Sequence, residues 1–157
     1  MQNTPRSPRT ALVALLLAAL AGPVHGHGDT VPQAVDTHTL PALGDAPQAR
    51  NPYAAGAAHA EAVRIGSSAY NQNCARCHGL EAVSGGIAPD LRKLNADCGA
   101  FESPDAECLA EVDQYFYDTV AKGRVREGRV YMPPFKDIFS QEAIWAIRSY
   151  IDTRRPD

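Results

Sequence analysis

The sequence predicts an all-α domain behind an extended arm, and three observations predict it. Apolar residues recur at helical steps in three stretches: Val63, Gly66, Tyr70 and Cys74; Leu109, Val112, Phe116 and Val120; Ala143, Ile144, Ile147, Tyr150 and Ile151. Prolines at 32, 41, 47 and 52 recur too often for a helix or a central strand ahead of the first stretch. The first stretch ends in Cys74-Ala75-Arg76-Cys77-His78, which needs a helix to present it and a core to receive what it binds.

The chain begins with an expected export signal over residues 1–26. Arg6 and Arg9 make a basic start, and Ala11 to Ala21 is apolar but too short to span a bilayer. Val24 and Gly26 suit a cleavage site. The two arginines are not adjacent and no cysteine lies nearby, so the general secretory (Sec) route is expected, with neither the twin-arginine route nor a lipid anchor. Cleavage would lower Lys+Arg from 15 to 13 against 18 acids, a net charge of −5. That balance argues against a nucleic-acid partner. No second apolar run is long enough to hold the mature chain stably in a membrane. A soluble protein of an oxidising compartment, most simply a bacterial periplasm, is expected.

Residues 27–58 read as an extended, Pro-rich arm. Val31, Val35, Leu40, Leu43 and Tyr53 give it side chains with which to lie on the domain behind it, residues 59–157. The first helix is expected from His59 to Cys77. Gly66 in its stripe lowers helix stability by about 1 kcal/mol relative to alanine, which is useful only where another helix must approach closely.

The five residues 74–78 have a chemical reading. Two thiols three residues apart can reach two vinyl groups on one porphyrin edge and form thioethers. The adjacent His78 can then ligate the iron, so the pattern is that of c-type haem attachment. A thioredoxin-type dithiol would follow a strand, and none is evident here. A zinc site would need a second ligand pair, and nine residues separate Cys98 from Cys108 where two to four are usual. In an exported chain these two cysteines are instead expected to form a disulfide, contributing on the order of 2–3 kcal/mol.

After His78 comes a glycine-rich loop with Gly79, Gly85 and Gly86, then Pro89. The Pro89 carbonyl is a candidate acceptor for the second ring nitrogen of His78. Leu91 and Leu94 are expected to cover one haem face. Ser103, Pro104 and Asp105 suit the start of the second helix as cap, first helical position and first-turn acid, and Gly123 suits its stop. Residues 123–134 read as an arginine-rich loop ending in Tyr131-Met132-Pro133-Pro134. Met132 is the only methionine left after cleavage, and its thioether is a soft neutral ligand for the sixth iron position. His38 and His59 are rivals in less restrained settings. Tyr131 and Pro89 are placed among the residues that contact the cofactor. Lys122, Arg124, Arg126 and Arg129 form a collar that either steers an acidic partner or binds the haem propionates. Ser140 caps the last helix, with Phe139 and Ile144 spaced as a hydrophobic staple. Trp145 lies off that helix's stripe, able to reach the haem pocket or to flank the core.

Together these residues resemble the class I cytochromes c over about residues 60–155. The stretches NQNCARCHGLEAVSGGIAPDLRKL and GRVREGRVYMPPF, and the arm beginning HGDTVPQAVDT, resemble more closely the PedF-type cytochromes c, which serve PQQ-dependent alcohol dehydrogenases of the periplasm. The resemblance implies the class I cytochrome c fold around one covalent haem c. It also implies a one-electron carrier that accepts electrons from a quinoprotein alcohol dehydrogenase and passes them to a terminal oxidase or another cytochrome. With His78 and Met132 both on iron, little room remains for a substrate. Two other functions stay open: a haem enzyme or sensor with a free sixth position, and a haem subunit bound permanently to a dehydrogenase.

Overall fold

The computed structural model describes residues 31–100 and 103–156. The expected export signal lies outside the described residues. Among the described residues four α-helices make the frame: α1 His59–Asn73, α2 Ala75–His78, α3 Ala106–Lys122 and α4 Gln141–Asp152. Short 3-10 turns occupy Leu80–Ala82 and Leu91–Lys93. A hairpin of β1 Arg124–Arg126 and β2 Arg129–Met132 joins α3 to the last segment. The architecture is mostly helical and compatible with the class I cytochrome c fold.

The helices α1 and α4 meet backbone to backbone at Gly66. A β-carbon there would lie 1.9 Å from the Ala146 carbonyl oxygen, so only glycine permits the crossing. One core cluster gathers Tyr70 from α1, Phe116 and Val120 from α3, and Ile144, Ile147, Tyr150 and Ile151 from α4. The rings of Tyr70 and Tyr150 pack at 5.3 Å. Phe139 and Ile144 belong to the same cluster, and Ser140 Oγ accepts from Ala143 N at 3.3 Å, as a cap with a staple should.

A second cluster lies under the arm: Leu40 and Tyr53 with Ala62, Ile65, Trp145 and Ala146. This decides where Trp145 goes. It is fully buried in the arm-side cluster and stacks on Tyr117 at 5.2 Å; its Nε1 finds no acceptor among the described residues. Helix α4 is therefore buried on both faces, from Ala143 through Ile151. The expectation of a single apolar stripe described half of it; the arm covers the other half.

The arm is tied down by polar contacts as well as packing. Leu43 N donates to Glu142 at 2.8 Å, Asn51 N to Asp113 at 2.8 Å, and Asn51 Nδ2 to Ser149 Oγ at 2.9 Å. His59 Nδ1 donates to the Tyr53 carbonyl at 2.8 Å, closing the arm onto the start of α1. Burial raises the Tyr53 hydroxyl to about 12, and that hydroxyl donates to Pro41 O at 2.5 Å.

Three local expectations need correction. The first helix does not run on to Cys77. Cys74 has φ −113° and ends α1, and the chain re-forms one turn when the amides of Cys77 and His78 both reach the Cys74 carbonyl, at 3.1 and 3.0 Å. The cap of α3 is Asp105, not Ser103: its carboxylate accepts from Cys108 N at 2.7 Å, the reach an N-cap acceptor needs. Residues 123–134 contain a hairpin where a loop was expected. Glu127 and Gly128 both take positive φ, 51° and 73°, which makes the two-residue turn that antiparallel strands favour.

Candidate functional site

Helix α1 delivers the C-x-x-C-H motif, and Gly79 turns the chain away behind it. Gly79 has φ 80°, and a β-carbon there would lie 1.9 Å from the Val83 carbonyl oxygen. The loop it opens is strained. Glu81 and Ala82 are consecutive non-glycine residues in the left-handed region, at φ 56° and 62°, and Ala82 is fully buried. Two tethers hold this loop. Tyr70 Oη donates to the Gly79 carbonyl at 2.8 Å, and the Arg154 guanidinium beyond α4 pairs with the Glu81 carboxylate. Burial, chiefly, holds the Tyr70 hydroxyl well above the usual phenol range. Neither tether was read from the sequence, because both join residues with no periodic relation.

His78 Nδ1 donates to the Pro89 carbonyl at 3.0 Å. That contact fixes the ring's tautomer and leaves Nε2 as the nitrogen available to a ligand. The Pro89 turn is itself braced: the Asp90 carboxylate accepts from Arg92 N at 3.1 Å, Nε at 3.0 Å and Nη2 at 2.9 Å. The Arg92 guanidinium holds the Asp90 carboxyl below its ordinary range.

Cys74, Leu91, Leu94 and Met132 all pack against the same core cluster, although they come from three separate parts of the chain. Burial, reinforced by Cys77, raises the Cys74 thiol to about 12. Met132 is fixed from behind. A β-carbon on Gly123, φ 69°, would lie 2.5 Å from the Met132 carbonyl oxygen and 2.7 Å from Pro134 N. Just beyond, Phe135 N and Lys136 N donate to the last carbonyls of α3, Val120 and Ala121, at 3.0 and 3.2 Å. Gly123, read from the sequence as a helix stop, is thus also the bed on which the Met-Pro-Pro segment lies. Tyr131, just before it, is exposed.

The rival histidines are engaged elsewhere. His59 stands at the far end of α1, about 20 Å from Cys74 by helix rise, and His38 pairs with Asp36 at 2.7 Å. Cys98 and Cys108 are joined in a disulfide that staples the loop after Leu94 to α3.

The sequence also missed a buried ionic cluster. Arg148, 1% exposed, donates to Asp113 at 2.8 Å and to Asn95 at 2.8 Å, and it pairs with Asp152. Asn95 Nδ2 closes the ring on Asp152 at 3.0 Å. Burial raises the Asp152 carboxyl, against the pull of Arg148. With Asn51 on the other Asp113 oxygen, the cluster links arm, α3, α4 and the segment after Leu91. Arg148 carried no motif signal; an arginine inside an apolar stripe was the one hint.

The donor set fits a haem: two thiols at i and i+3, an oriented imidazole beside them, and a thioether on a fixed backbone. Exposed Leu80, Val83 and Ile87 on the adjoining loop supply apolar surface of the kind a porphyrin covers.

Comparison with known proteins agrees. The family model described as "Cytochrome C oxidase, cbb3-type, subunit III" matches residues 61–151. A cytochrome c550 of Pseudomonas aeruginosa is 52% identical over 147 residues, covering 93% of this chain and 91% of that protein. The quinohemoprotein alcohol dehydrogenase ADH-IIG of Pseudomonas putida is 36% identical over 95 residues, 60% of this chain but 11% of the enzyme. ADH IIB of the same organism is 32% identical over 94 residues, 60% of this chain and again 11% of the enzyme. No solved structure matches. The chain belongs to the cytochrome c family: it is an electron-transfer protein, not an enzyme, and its cofactor is covalently bound haem c.

Proposed function

We propose that this chain is a periplasmic one-electron carrier in which Cys74 and Cys77 hold the haem and His78 and Met132 ligate its iron. It would take electrons from a quinoprotein alcohol dehydrogenase and deliver them toward a terminal oxidase or another cytochrome. When bound, the haem supplies exchange of one electron between ferric and ferrous iron. The observation that carries the ligand assignment is the shared cluster under Cys74, Leu91, Leu94 and Met132, beside a His78 ring already oriented by Pro89.

The chain's own residues then have distinct tasks. Pro89 keeps the imidazole turned and electron-rich, and Asp90 with Arg92 keeps Pro89 in place. Gly123 and the two prolines limit the drift of the Met132 sulfur. Leu91 and Leu94 exclude water from one side of the site. The donor assignment is supported by likeness to a short portion of two enzymes named quinohemoprotein alcohol dehydrogenases. A free chain resembling that portion is suited to serve a quinoprotein that lacks it. The same likeness would suit a permanently bound haem subunit, which would co-purify with the dehydrogenase at high salt.

The test is to mix reduced PQQ alcohol dehydrogenase with the oxidised holoprotein and follow haem absorbance. Rapid reduction is expected, and no reduction would remove the donor. Met132→Ala should keep its haem but show a lower reduction potential, because methionine favours ferrous iron. An unchanged spectrum and potential would make Met132 a packing residue only.

A further inference from the structure

Arg154 lies just beyond α4, and its surroundings fix its guanidinium. Its amide donates to the Ile151 carbonyl at 2.8 Å, and its Nε donates to Thr153 Oγ1 at 3.0 Å. The guanidinium lies 4.8 Å over the Tyr150 ring, a cation–π position, and its Nη1 pairs with the Glu81 carboxylate. From there two lines run to the same place. One goes through Glu81 directly. The other goes through Tyr150, whose ring packs on Tyr70 at 5.3 Å, and from the Tyr70 hydroxyl to the Gly79 carbonyl at 2.8 Å. Both end on residues 79–81, the segment immediately behind His78. That segment resists its own shape: Glu81 and Ala82 both stand in the left-handed region, and Ala82 is pinned in the core. An ion pair whose side chains are 32% and 60% exposed contributes little by itself. Here it acts on a turn that would otherwise relax.

We infer that Arg154 is a positioning residue for the haem site: it clamps the strained Gly79–Ala82 turn from outside and so keeps His78 set against the iron. The inference rests on His78 being the iron ligand, as proposed above. A relaxed turn would let the chain after His78 swing out and admit water on the histidine side of the iron. Water stabilises the more highly charged ferric iron, so the clamp raises the reduction potential. Pro89, which orients the ring, is braced independently by Asp90 and Arg92. Arg154 therefore serves the other anchor of the same imidazole, its backbone. A simpler account would have Arg154 and Glu81 act on the iron through space, as two charges. The two accounts make opposite demands on Glu81: a clamp needs it, whereas a field that favours ferrous iron is stronger without it.

The test compares native holoprotein with Arg154→Gln, Glu81→Gln and the double variant, by redox titration and by amide hydrogen exchange. Loss of a cation near the iron lowers a potential and loss of an anion raises it, so charges acting through space would shift the two single variants in opposite directions. A clamp is broken by either change. Both single variants should therefore show a lower potential, and the double variant should fall no further than the lower single one. The Gly79 and Val83 amides donate to Ala75 O and Leu80 O at 2.8 and 3.0 Å. Their exchange should quicken roughly tenfold in all three variants. The Leu40 amide, on the arm, donates to Thr37 O at 2.9 Å and should exchange at the native rate. Potentials that shift in opposite directions, or stay native, would overturn the inference, and so would native exchange at Gly79 and Val83. His78→Ala tests the ligand separately and should lose the native haem spectrum. If the spectrum survives, the proposed ligand falls and this inference with it. If the spectrum is lost while both glutamine variants keep the native potential, the clamp alone is removed.

Discussion

On the side of α4 that meets the arm, large side chains are closed in by one another. Leu40, Tyr53, Ile65 and Trp145 are buried, and Arg148 has each guanidinium nitrogen on a carboxylate or an amide. On the side that carries Cys74, His78 and Met132, Tyr70 and His78 each donate one hydrogen bond to a backbone carbonyl, of Gly79 and of Pro89, and the ion pairs Arg154–Glu81 and Arg92–Asp90 brace the same loops. Its turns rest on Gly79 and Gly123, where a β-carbon would collide with backbone. One region is closed by packing around a buried ionic cluster, the other by more exposed polar contacts and glycine turns around a binding motif. The first should govern how stable the protein is, and the second how its iron behaves.

The largest test of that division removes the motif. Cys74→Ser/Cys77→Ser should abolish covalent haem, seen as loss of haem stain on a denaturing gel, and the chain should no longer fold stably. If the proposed site is right, the cluster that Cys74, Leu91, Leu94 and Met132 adjoin would lose the haem that covers it. A protease-resistant double variant would show that the arm side alone suffices for the fold.

Arg148→Met is the next largest. It leaves Asp113 and Asp152 without their cation in a buried setting, a loss of about 3–5 kcal/mol when one partner of such a pair is removed. Thermal unfolding should fall steeply, while the haem spectrum and potential of the folded fraction stay native. A shifted potential instead would mean that the cluster acts on the haem side through Asn95 and the segment after Leu91.

These two variants also mark what could be read in the sequence. The motif, the three helical stripes, Gly66 and the expected disulfide partners were legible because each rests on local spacing or on a compartment. Trp145, Arg148 and the anchoring of the arm were not. Their roles arise where Asn51, Asn95, Asp113 and Ser149 meet, and nothing in the spacing of those residues relates them. The hairpin was missed for a different reason. Its strands are three and four residues long, and arginine alternating with exposed valine looks like loop until the Glu-Gly turn is taken seriously.

Tyr70→Phe works on the other side and at smaller scale. It keeps the ring against Tyr150 and deletes only the hydroxyl that serves the Gly79 carbonyl. A stability loss of about 1 kcal/mol is expected for one such hydrogen bond. Unlike Arg148→Met, it should also move the haem spectrum or potential, because Gly79 follows His78 directly. A pure stability change would assign Tyr70 to packing alone.

The smallest effect is expected where the arm meets α1 at the surface. The Glu61 carboxylate accepts from Arg64 Nε at 2.8 Å and from Thr39 Oγ1 at 2.6 Å. Those contacts, the arginine's first, hold its pKa down to about 2 from 4.5. A folded-state pKa below the unfolded one means stabilisation that is fully present above pH 4.5 and is lost as pH falls toward 2. The group is exposed, so the effect on the global transition should be slight. It should appear locally, as faster amide hydrogen exchange in the arm around Leu40 as the pH drops through that window. Comparing native protein with Glu61→Gln at each pH separates this from the intrinsic pH dependence of exchange. The variant should show the looser arm already at pH 5 and no further change below it, with the haem potential native throughout. If acid loosens the arm equally in the variant, the arm is held at this edge by packing alone. The ionic share of the arm side would then lie in the buried cluster alone, with none on the arm's outer edge.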